Sequence, residues 1–192
     1  MMRNAATGTP ELGFTIIELM VVVAIAAILI VAAAPSFSEF LSRRRVEGLT
    51  AELVTDLHYT RSEAVSRNES VGMFFGTDCY VIYRVRVPTA SPTVATCTRT
   101  TKSITPAAAE LKTVQLDAGR PVSMSPGGAA NVEFDPVRGM VTNSAGDDTA
   151  SVDVRSTSGR PWRLRAMLTI MGRAETCRPA DAPGFAGWAE CS

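Results

Sequence analysis

Residues 13–35 read GFTIIELMVVVAIAAILIVAAAP, and this stretch decides the fold. Residues 19–34 are apolar without interruption, and residues 14–34 contain only two polar side chains, Thr15 and Glu18. An α-helix rises about 1.5 Å per residue, so this segment spans roughly 32 Å, close to the ~30 Å hydrocarbon thickness of a bilayer. The sequence therefore predicts a helix that can cross a membrane.

Three interpretations compete for residues 1–34: a secretory signal, a plain membrane anchor, or a short leader that is removed ahead of an anchor. A secretory signal has about 7–15 apolar residues followed by a small-residue cleavage site. The apolar run here is longer, and Pro35 would directly follow a cut after Ala34. A soluble periplasmic hydrolase released by that cut is therefore disfavoured. A polar leader of residues 1–13 that ends at Gly13 is favoured.

A single carboxylate, Glu18, lies inside the apolar run, one helical turn after Phe14. A charged side chain within a membrane costs a few kcal/mol at the bilayer centre and less at its edge, so Glu18 is expected to have a partner. The expected partner is a free amine at Phe14, either of the same chain or of a neighbouring subunit. Phe14 and Glu18 are therefore the candidate subunit-assembly residues.

The order of glycine, phenylalanine, glutamate and a long apolar run resembles the N-terminus of type IV prepilins and pseudopilins. The resemblance implies that a prepilin peptidase cuts between Gly13 and Phe14 and that Phe14 is then N-methylated. It implies a helix kink at Pro35. It also implies an anchor at 14–34 in the inner membrane, a C-terminal domain in the periplasm, and assembly with other major and minor pilins or pseudopilins through the helix.

Past Pro35, apolar residues recur at spacings of three, four and seven, at Val46, Leu49, Leu53, Leu57 and Ala64. This period is typical of an amphipathic helix and predicts that the helix continues over residues 35–68, with Asn68 as its C-terminal cap. Charged residues of the same segment, Asp56 among them, are assigned to the other faces of the helix.

Beyond residue 70, short β-type runs alternate with Gly, Pro and Asn. Strands are predicted at 71–75, 80–87, 111–116, 131–134, 140–142, 151–155 and 162–171. Residues 88–109 and 143–149 are expected to be loops, and residues 135–139 a turn. The predicted fold class is α+β: a long N-terminal helical spine packed on an antiparallel β domain of residues 69–192, as in a type IV pilin.

Two further stretches of sequence restrict the resemblance to one family among the type IV prepilins and pseudopilins. Residues 61–71 read RSEAVSRNESV, and residues 132–136 read VEFDP, followed by Gly139, Gly172 and Arg173. These resemble the GspH/FimT family of minor pilins and pseudopilins. The resemblance implies a non-enzymatic minor pilin of a type IV pilus, incorporated at or near the tip and helping to initiate assembly. A pseudopilin of a type II secretion system is an alternative.

The net charge of the chain excludes a global attraction to nucleic acid. Nineteen basic and nineteen acidic residues cancel, so any nucleic-acid binding must come from a local patch. Four cysteines follow the apolar run, which fits an oxidising compartment; they allow three connectivities, and the shortest loops favour Cys79–Cys97 and Cys177–Cys191. Three arginines at 43–45 would by a simple count place this side in the cytoplasm, whereas the cysteines and the leader favour the periplasm.

Residues 154–174 contain five arginines and no acid, which raises the alternative of a minor pilin that binds DNA during natural transformation. Strand alternation places Arg163 and Arg165 on one face. Some FimT-like pilins are DNA receptors with a Gly-Arg-x-Arg motif. Here residues 172–175 read GRAE, so an acid replaces the second arginine. The candidate DNA-binding residues are Arg160, Arg163, Arg165, Arg173 and Arg178.

Catalysis is not expected from this sequence. Its only histidine, His58, falls on the amphipathic helix, and the cysteines have no zinc-type spacing. No catalytic residue, metal site or cofactor is predicted.

Overall fold

The computed structural model describes residues 13–86, 94–98, 100–106, 108–128, 130–143, 149–182 and 185–191. These residues form one helix and eleven strands, and the chain divides into two units, Met1–Ser38 and Glu39–Ser192. Residues 1–12 of the expected leader, and parts of the two expected loops at 88–109 and 143–149, lie outside the described residues.

Helix α1 covers Ile16–Arg67 and ends at Asn68, which adopts a left-handed conformation with φ of +53°. The backbone N–H of Glu69 donates to the carbonyl of Ala64 at 3.3 Å, which closes the last turn as in a Schellman cap. Asparagine tolerates this conformation better than most residues. The predicted end of the helix at Asn68 is therefore confirmed.

Pro35 lies inside α1 and does not end it. Proline has no backbone N–H, so the carbonyl four residues earlier lacks its helical donor. On the following turn, the hydroxyls of Ser36 and Ser38 donate to the carbonyls of Ala33 and Pro35, each at 2.8 Å. These bonds stay within the helix and supply local side-chain donors beside the proline.

The second half of α1 buries the predicted stripe. Val46, Leu49, Leu53, Leu57 and Ala64 are all at most 4% exposed. The assignment of Asp56 to an outer face is wrong, because this residue is 5% exposed. Its carboxylate is stabilised inside the domain because Tyr80 and Lys112, which lie on two of the strands, donate hydrogen bonds to it.

The strands are β1 (Val71–Phe75), β2 (Cys79–Val85), β3 (Val94–Cys97), β4 (Lys102–Ile104), β5 (Ala108–Gln115), β6 (Val122–Pro126), β7 (Asn131–Phe134), β8 (Val141–Asn143), β9 (Thr149–Ser156), β10 (Arg163–Thr169) and β11 (Ala174–Cys177). One sheet has the order β5-β2-β1-β7-β8, a second has β11-β10-β9-β6, and β3 pairs with β4. Every pairing is antiparallel. The α+β class with antiparallel sheets is confirmed.

Several strand predictions differ from the structure. The strands at 71–75 and 131–134 have the predicted bounds, but the expected loop at 88–109 contains β3, β4 and the start of β5. Strands β6 and β11 were not predicted. These elements are short and rich in Ser, Thr, Lys and Pro, so they lack the β-branched alternation that signals a strand.

The main core lies between α1 and the two larger sheets. Leu53 and Leu57 of the helix belong to one buried cluster with Met73, Ile82 and Phe134 of the five-stranded sheet. From the four-stranded sheet, the same cluster includes Val152, Val154, Leu164, Ala166 and Leu168. The core lies wholly within residues 46–185, so the Glu39–Ser192 unit has a core of its own.

The other face of the five-stranded sheet is also buried. Val81 and Tyr83 of β2 cluster with Ile104 of β4 and with Cys79 and Cys97, which form a disulfide. The β3–β4 hairpin therefore covers this face and is covalently joined to β2. A second disulfide, Cys177–Cys191, ties the C-terminal segment to β11. These are the two pairs that loop length favours.

A row of three residues crosses this outer face. Gly72 of β1 lies opposite Tyr83 of β2 on one side and opposite Glu133 of β7 on the other. Because Gly72 has no side chain, the Tyr83 ring lies across it, and the Tyr83 hydroxyl donates to Glu133 Oε1 at 3.2 Å. Burial raises the pKa of Glu133, and the Tyr83 hydrogen bond opposes that shift only in part.

The raised pKa of Glu133 predicts a pH-dependent stability. The folded state favours the protonated carboxyl, so its contribution is full below the ordinary pKa near 4.5 and is lost as pH rises through the folded pKa. We expect Glu133→Gln to be more stable than the parent at pH 7, by less than about 1 kcal/mol because solvent reaches this carboxyl, and equal to it below pH 4.5. Thermal unfolding between pH 3.5 and 7.5 measures the difference.

Glu110 provides the control of opposite sign. Lys102 and Thr113 donate to its carboxylate at 2.5 and 2.6 Å and lower its pKa. Glu110→Gln is therefore expected to be less stable than the parent at pH 7, and this loss disappears as pH falls through the folded pKa. Parallel curves for both variants would contradict the assignment.

Candidate assembly site and arginine surface

The N-terminus of α1 positions Glu18. Thr15 precedes the helix, and its hydroxyl accepts the backbone N–H of Glu18 at 3.3 Å, as an N-cap does. Thr15 and Glu18 have the spacing of a capping box, and a carboxylate in the first turn is favoured by the helix dipole. Sequence reasoning on Glu18 as a membrane carboxylate missed this local role, although the Thr-x-x-Glu spacing signals it.

The apolar half of α1 is uncovered. All residues from 13 to 38 are exposed, and the large apolar side chains from Phe14 to Val31 are 53–86% exposed. Within the described residues, α1 is the one helix long and apolar enough to cross a membrane. An apolar surface of this extent requires lipid or protein to cover it.

The structure pairs all five candidate DNA-binding arginines with carboxylates. The pairs are Arg160–Glu39 at 3.1 Å, Arg163–Asp181, Arg165–Asp153 at 2.5 Å, Arg173–Glu175 at 2.6 Å and Arg178–Glu190 at 3.6 Å. The stretch is acid-free in sequence, but acids from other segments and from β11 meet it in the fold. Most of the arginine charge at this surface is therefore balanced.

Two of these pairs are strong enough to shift the pKa of a partner. The Nε and Nη2 atoms of Arg165 donate to the two carboxylate oxygens of Asp153, at 2.5 and 3.0 Å, and this raises the pKa of Arg165. Arg163 lowers the pKa of Asp181. Arg163 and Arg165 alternate with the buried Leu164 along β10, as strand geometry predicts. A phosphate would have to displace these carboxylates.

Trp162 does not present a free ring for base stacking. It is 6% exposed and packs edge-on against Phe185, with ring centroids 4.9 Å apart. The guanidinium of Arg160 lies 5.1 Å from the Trp162 ring centroid, and that of Arg43 lies 5.0 Å from the Phe185 centroid. This cluster joins α1 to the C-terminal segment by packing.

A buried polar network joins α1 to the five-stranded sheet. The Asp56 carboxylate accepts the Tyr80 hydroxyl at 2.6 Å and is bonded by Lys112 Nζ at 2.7 Å through both oxygens. Burial and the nearby carboxylate raise the pKa of Tyr80, so the hydroxyl stays protonated and donates. In β5, the register shifts opposite Ile82 and Tyr83, and Lys112 lies opposite Ile82, on the face toward the helix.

Arg61, Gly139 and Gly172 lie close together at the C-terminal end of α1. All three belong to the stretches that resemble the GspH/FimT family. Gly139 and Gly172 both have positive φ, of +61° and +73°. A Cβ on Gly172 would lie 2.5 Å from the carbonyl of Gly139, and a Cβ on either glycine would lie within about 3.1 Å of the Arg61 side chain. The close approach of two turns beneath Arg61 therefore requires glycine at both positions.

No catalytic arrangement is evident in the described part of the chain. It contains no group of three or more His, Cys, Asp or Glu side chains placed to hold a metal ion. His58 is exposed on α1.

A long N-terminal apolar helix packed on antiparallel sheets defines the class of type IV pilins. The model of the prokaryotic N-terminal methylation motif matches residues 10–34. The model of the family described as Type II transport protein GspH matches residues 49–167, more than half of the chain. The chain belongs to the GspH family of type IV minor pilins and pseudopilins, whose members are structural subunits.

Two known proteins are similar to this chain. A fimbrial protein of Neisseria meningitidis is 38% identical over 76 residues, which are 36% of this chain and 45% of that protein. The chain thus matches less than half of that relative's length. The crystal structure of the type IV minor pilin FimU of Pseudomonas aeruginosa PAO1 matches with a TM-score of 0.51 and 16% identity, over 75% of this chain and 96% of that chain. This likeness concerns the fold.

Proposed function

We propose that this chain is a minor pilin of a type IV pilus, incorporated at or near the tip, where it helps to initiate assembly. A prepilin peptidase cuts after Gly13 and methylates Phe14. The apolar segment holds the chain in the inner membrane, with the disulfide-bonded domain in the periplasm, until the helix is extracted. The observation that carries this proposal is the uncovered apolar half of α1 with a single carboxylate at its start.

Extraction into a filament exchanges one apolar environment of the helix for another. Lipid chains and neighbouring apolar helices cover the same side chains, so van der Waals packing and specific polar contacts decide association. Glu18 supplies such a contact, because the amine of Phe14 in a neighbouring subunit is its natural partner in a medium without water. The register of adjacent helices is set by this pair.

Two alternatives use the same scaffold. The matched family description names type II transport, and a pseudopilin would share the helix and the cleavage site. Loss of secretion without loss of pili on deletion of the gene identifies that role. DNA uptake rests on the arginines that the structure pairs with carboxylates, which favours the structural role. DNA binding that weakens with salt and with Arg173→Ala supports uptake instead.

The Glu18 pair makes the central prediction. We expect Glu18→Ala to be cleaved after Gly13 and inserted in the membrane. We expect it to be absent from sheared filaments, because a helix without Glu18 lacks the contact that sets its register among neighbouring helices. Glu39→Ala is the matched control, since Glu39 is another carboxylate of α1 that pairs with Arg160 outside the apolar run. Immunoblots of membranes and filaments, with intact-mass analysis of the mature N-terminus, measure both steps.

The role in initiating assembly is tested by counting filaments per cell. Deletion of the gene is expected to reduce the number of filaments per cell and to leave the length of the remaining filaments unchanged, because nucleation sets the number. Immunogold labelling is expected at filament ends. Labelling along the whole filament, unchanged filament numbers in the deletion strain, or filaments that retain Glu18→Ala would contradict the proposal.

A further inference from the structure

Exposed apolar side chains of the Glu39–Ser192 unit concentrate at one place. Among its described residues, seven large apolar side chains are exposed, and four of them belong to segments that meet at the C-terminal end of α1. We call these four the two-turn patch: Val65, Val137, Ile170 and Met171. Their exposures are 51, 78, 38 and 63%. Clustered exposure of this kind marks an interaction surface, whereas scattered single residues do not.

The two-turn patch is held in place by backbone contacts. The turn before Gly139 carries Val137, and the turn before Gly172 carries Ile170 and Met171. The N–H of Val141, at the start of β8, donates to the carbonyl of Ile170 in the second turn at 2.8 Å. A Cβ on Gly139 would lie 3.4 Å from Val65 Cγ2. These contacts hold the two turns against each other and against the end of α1.

Three arginines border the patch: Arg61, Arg138 and Arg173. The Arg61 side chain lies over Gly139 and Gly172. No hydrogen bond or ion pair joins the Arg61 or Arg138 guanidinium to another described residue, whereas Arg173 is paired with Glu175. The Asp135 carboxylate accepts the backbone N–H groups of Val137 and Arg138. The border is thus net positive and calls for carboxylates opposite it.

A second copy of this chain does not meet that requirement. Two copies in symmetric contact would bring like arginines together. The remaining exposed apolar residues of the unit are Phe40, Tyr59 and Trp188. Phe40 and Trp188 lie beside Arg44. Arg43 and Arg44 share one carboxylate, Glu47, so this surface is also net positive. Tyr59 is a single ring. DNA is a poor fit as well, because the patch has no aromatic ring on which a base stacks.

We propose that the two-turn patch is the docking surface for a different pilin-type subunit, whose contact face has an apolar centre flanked by carboxylates. The proposal rests on the proposed function, since it takes the partner from the same filament. It accounts for incorporation beside another subunit without self-polymerisation through this surface. Val137 and Met171 fill the apolar centre, and Arg138 and Arg61 pair with the partner's carboxylates.

Photo-crosslinking of the full chain in filament-producing cells tests the proposal. A photo-crosslinking residue replaces Val137 or Met171. The control position is Ser103 of β4, which is exposed and belongs to the separate β3–β4 sheet. We expect a product from positions 137 and 171 with one other pilin-type subunit, identified by mass spectrometry, and none from position 103. The partner's crosslinked segment is expected to contain Asp or Glu.

Charge reversal tests the recognition itself. Arg138→Glu is expected to lower the crosslinked fraction from position 171 about tenfold, and reversal of a partner carboxylate is expected to restore it. Arg120→Glu, another exposed arginine outside the patch, is the matched control and is expected to have no effect. Arg138 is exposed, so its variant is expected to unfold within about 2 °C of the parent.

Other products overturn the proposal. A homodimer assigns the patch to self-association, and a nuclease-sensitive product assigns it to DNA. An absence of product from both positions, in cells whose filament number depends on this chain, removes the docking surface while the proposed function stands. If deletion leaves filament number unchanged, the proposed function fails, and the crosslinked partner still decides the assignment of the patch.

Discussion

Replacing Asp56 by alanine is expected to lower the free energy of unfolding of the Glu39–Ser192 unit by about 2–4 kcal/mol. Asp56 is 5% exposed, and its carboxylate is the acceptor for Tyr80, which is itself fully buried. Without it, the Tyr80 hydroxyl has no partner and its desolvation is uncompensated. Lys112 is 41% exposed and regains water, so the tyrosine carries most of the loss. Urea unfolding measures the change.

Three further variants separate the contributions to the loss of unfolding free energy in Asp56→Ala. Asp56→Asn keeps an acceptor for Tyr80 and loses the charge, so a smaller loss is expected. In the double variant of Asp56→Ala and Tyr80→Phe, the cost is expected to fall below the sum of the single variants, because no unpaired hydroxyl remains. Glu52→Ala, at a less buried carboxylate of the same helix, is expected to change stability by no more than about 0.5 kcal/mol. An Asp56→Ala variant as stable as Glu52→Ala would refute the network.

Gly72→Ala is expected to destabilise the same unit by about 3 kcal/mol. A Cβ at this position would lie 2.6 Å from the Tyr83 ring, which is fully buried and cannot swing into solvent. The ring must shift, which overpacks the outer face of the sheet and lengthens the bond from Tyr83 to Glu133. Thermal and urea unfolding report this loss directly.

Gly48→Ala is the matched control for this substitution. A Cβ at Gly48 meets nothing within 4 Å, and the residue lies inside α1. Alanine is favoured over glycine in a helix by about 0.8–1.0 kcal/mol, so this variant is expected to be more stable than the parent. In a Tyr83→Leu background, Gly72→Ala is expected to cost less than in the parent, because the obstructing ring is gone. Equal costs in both backgrounds would place the strain elsewhere.

Local patterns predicted the elements whose physics is local. The stripe from Val46 to Ala64 follows from helical period, and Asn68 ends the helix because its own backbone tolerates the left-handed conformation. Strands β1 and β7 have short apolar runs between turn residues. In contrast, β3, β4 and β6 are strands because of what they pair with and cover, and their polar composition conceals this.

Some features of the candidate site were also evident from the sequence, and others depended on the fold. The uncovered apolar half-helix and Glu18 are evident in residues 14–34, because membrane-spanning length and charge are properties of a contiguous segment. The pairing of Arg165 with Asp153, or of Arg160 with Glu39, is not evident, since those partners are 12 and 121 residues apart. A stretch of sequence without acidic residues can thus form a surface on which distant carboxylates balance the arginine charge.

The sequence by itself determined the apolar half-helix, the helical spine, the N-terminal methylation motif and the family, because each depends on residues that are neighbours along the chain. Only the tertiary structure decided that Asp56 is buried, that the five candidate DNA-binding arginines are paired with carboxylates, and that the helix end and two turns bring four exposed apolar residues into one region. Those outcomes depend on contacts between distant segments, and the free energy of a charge or an apolar group is set by what packs against it.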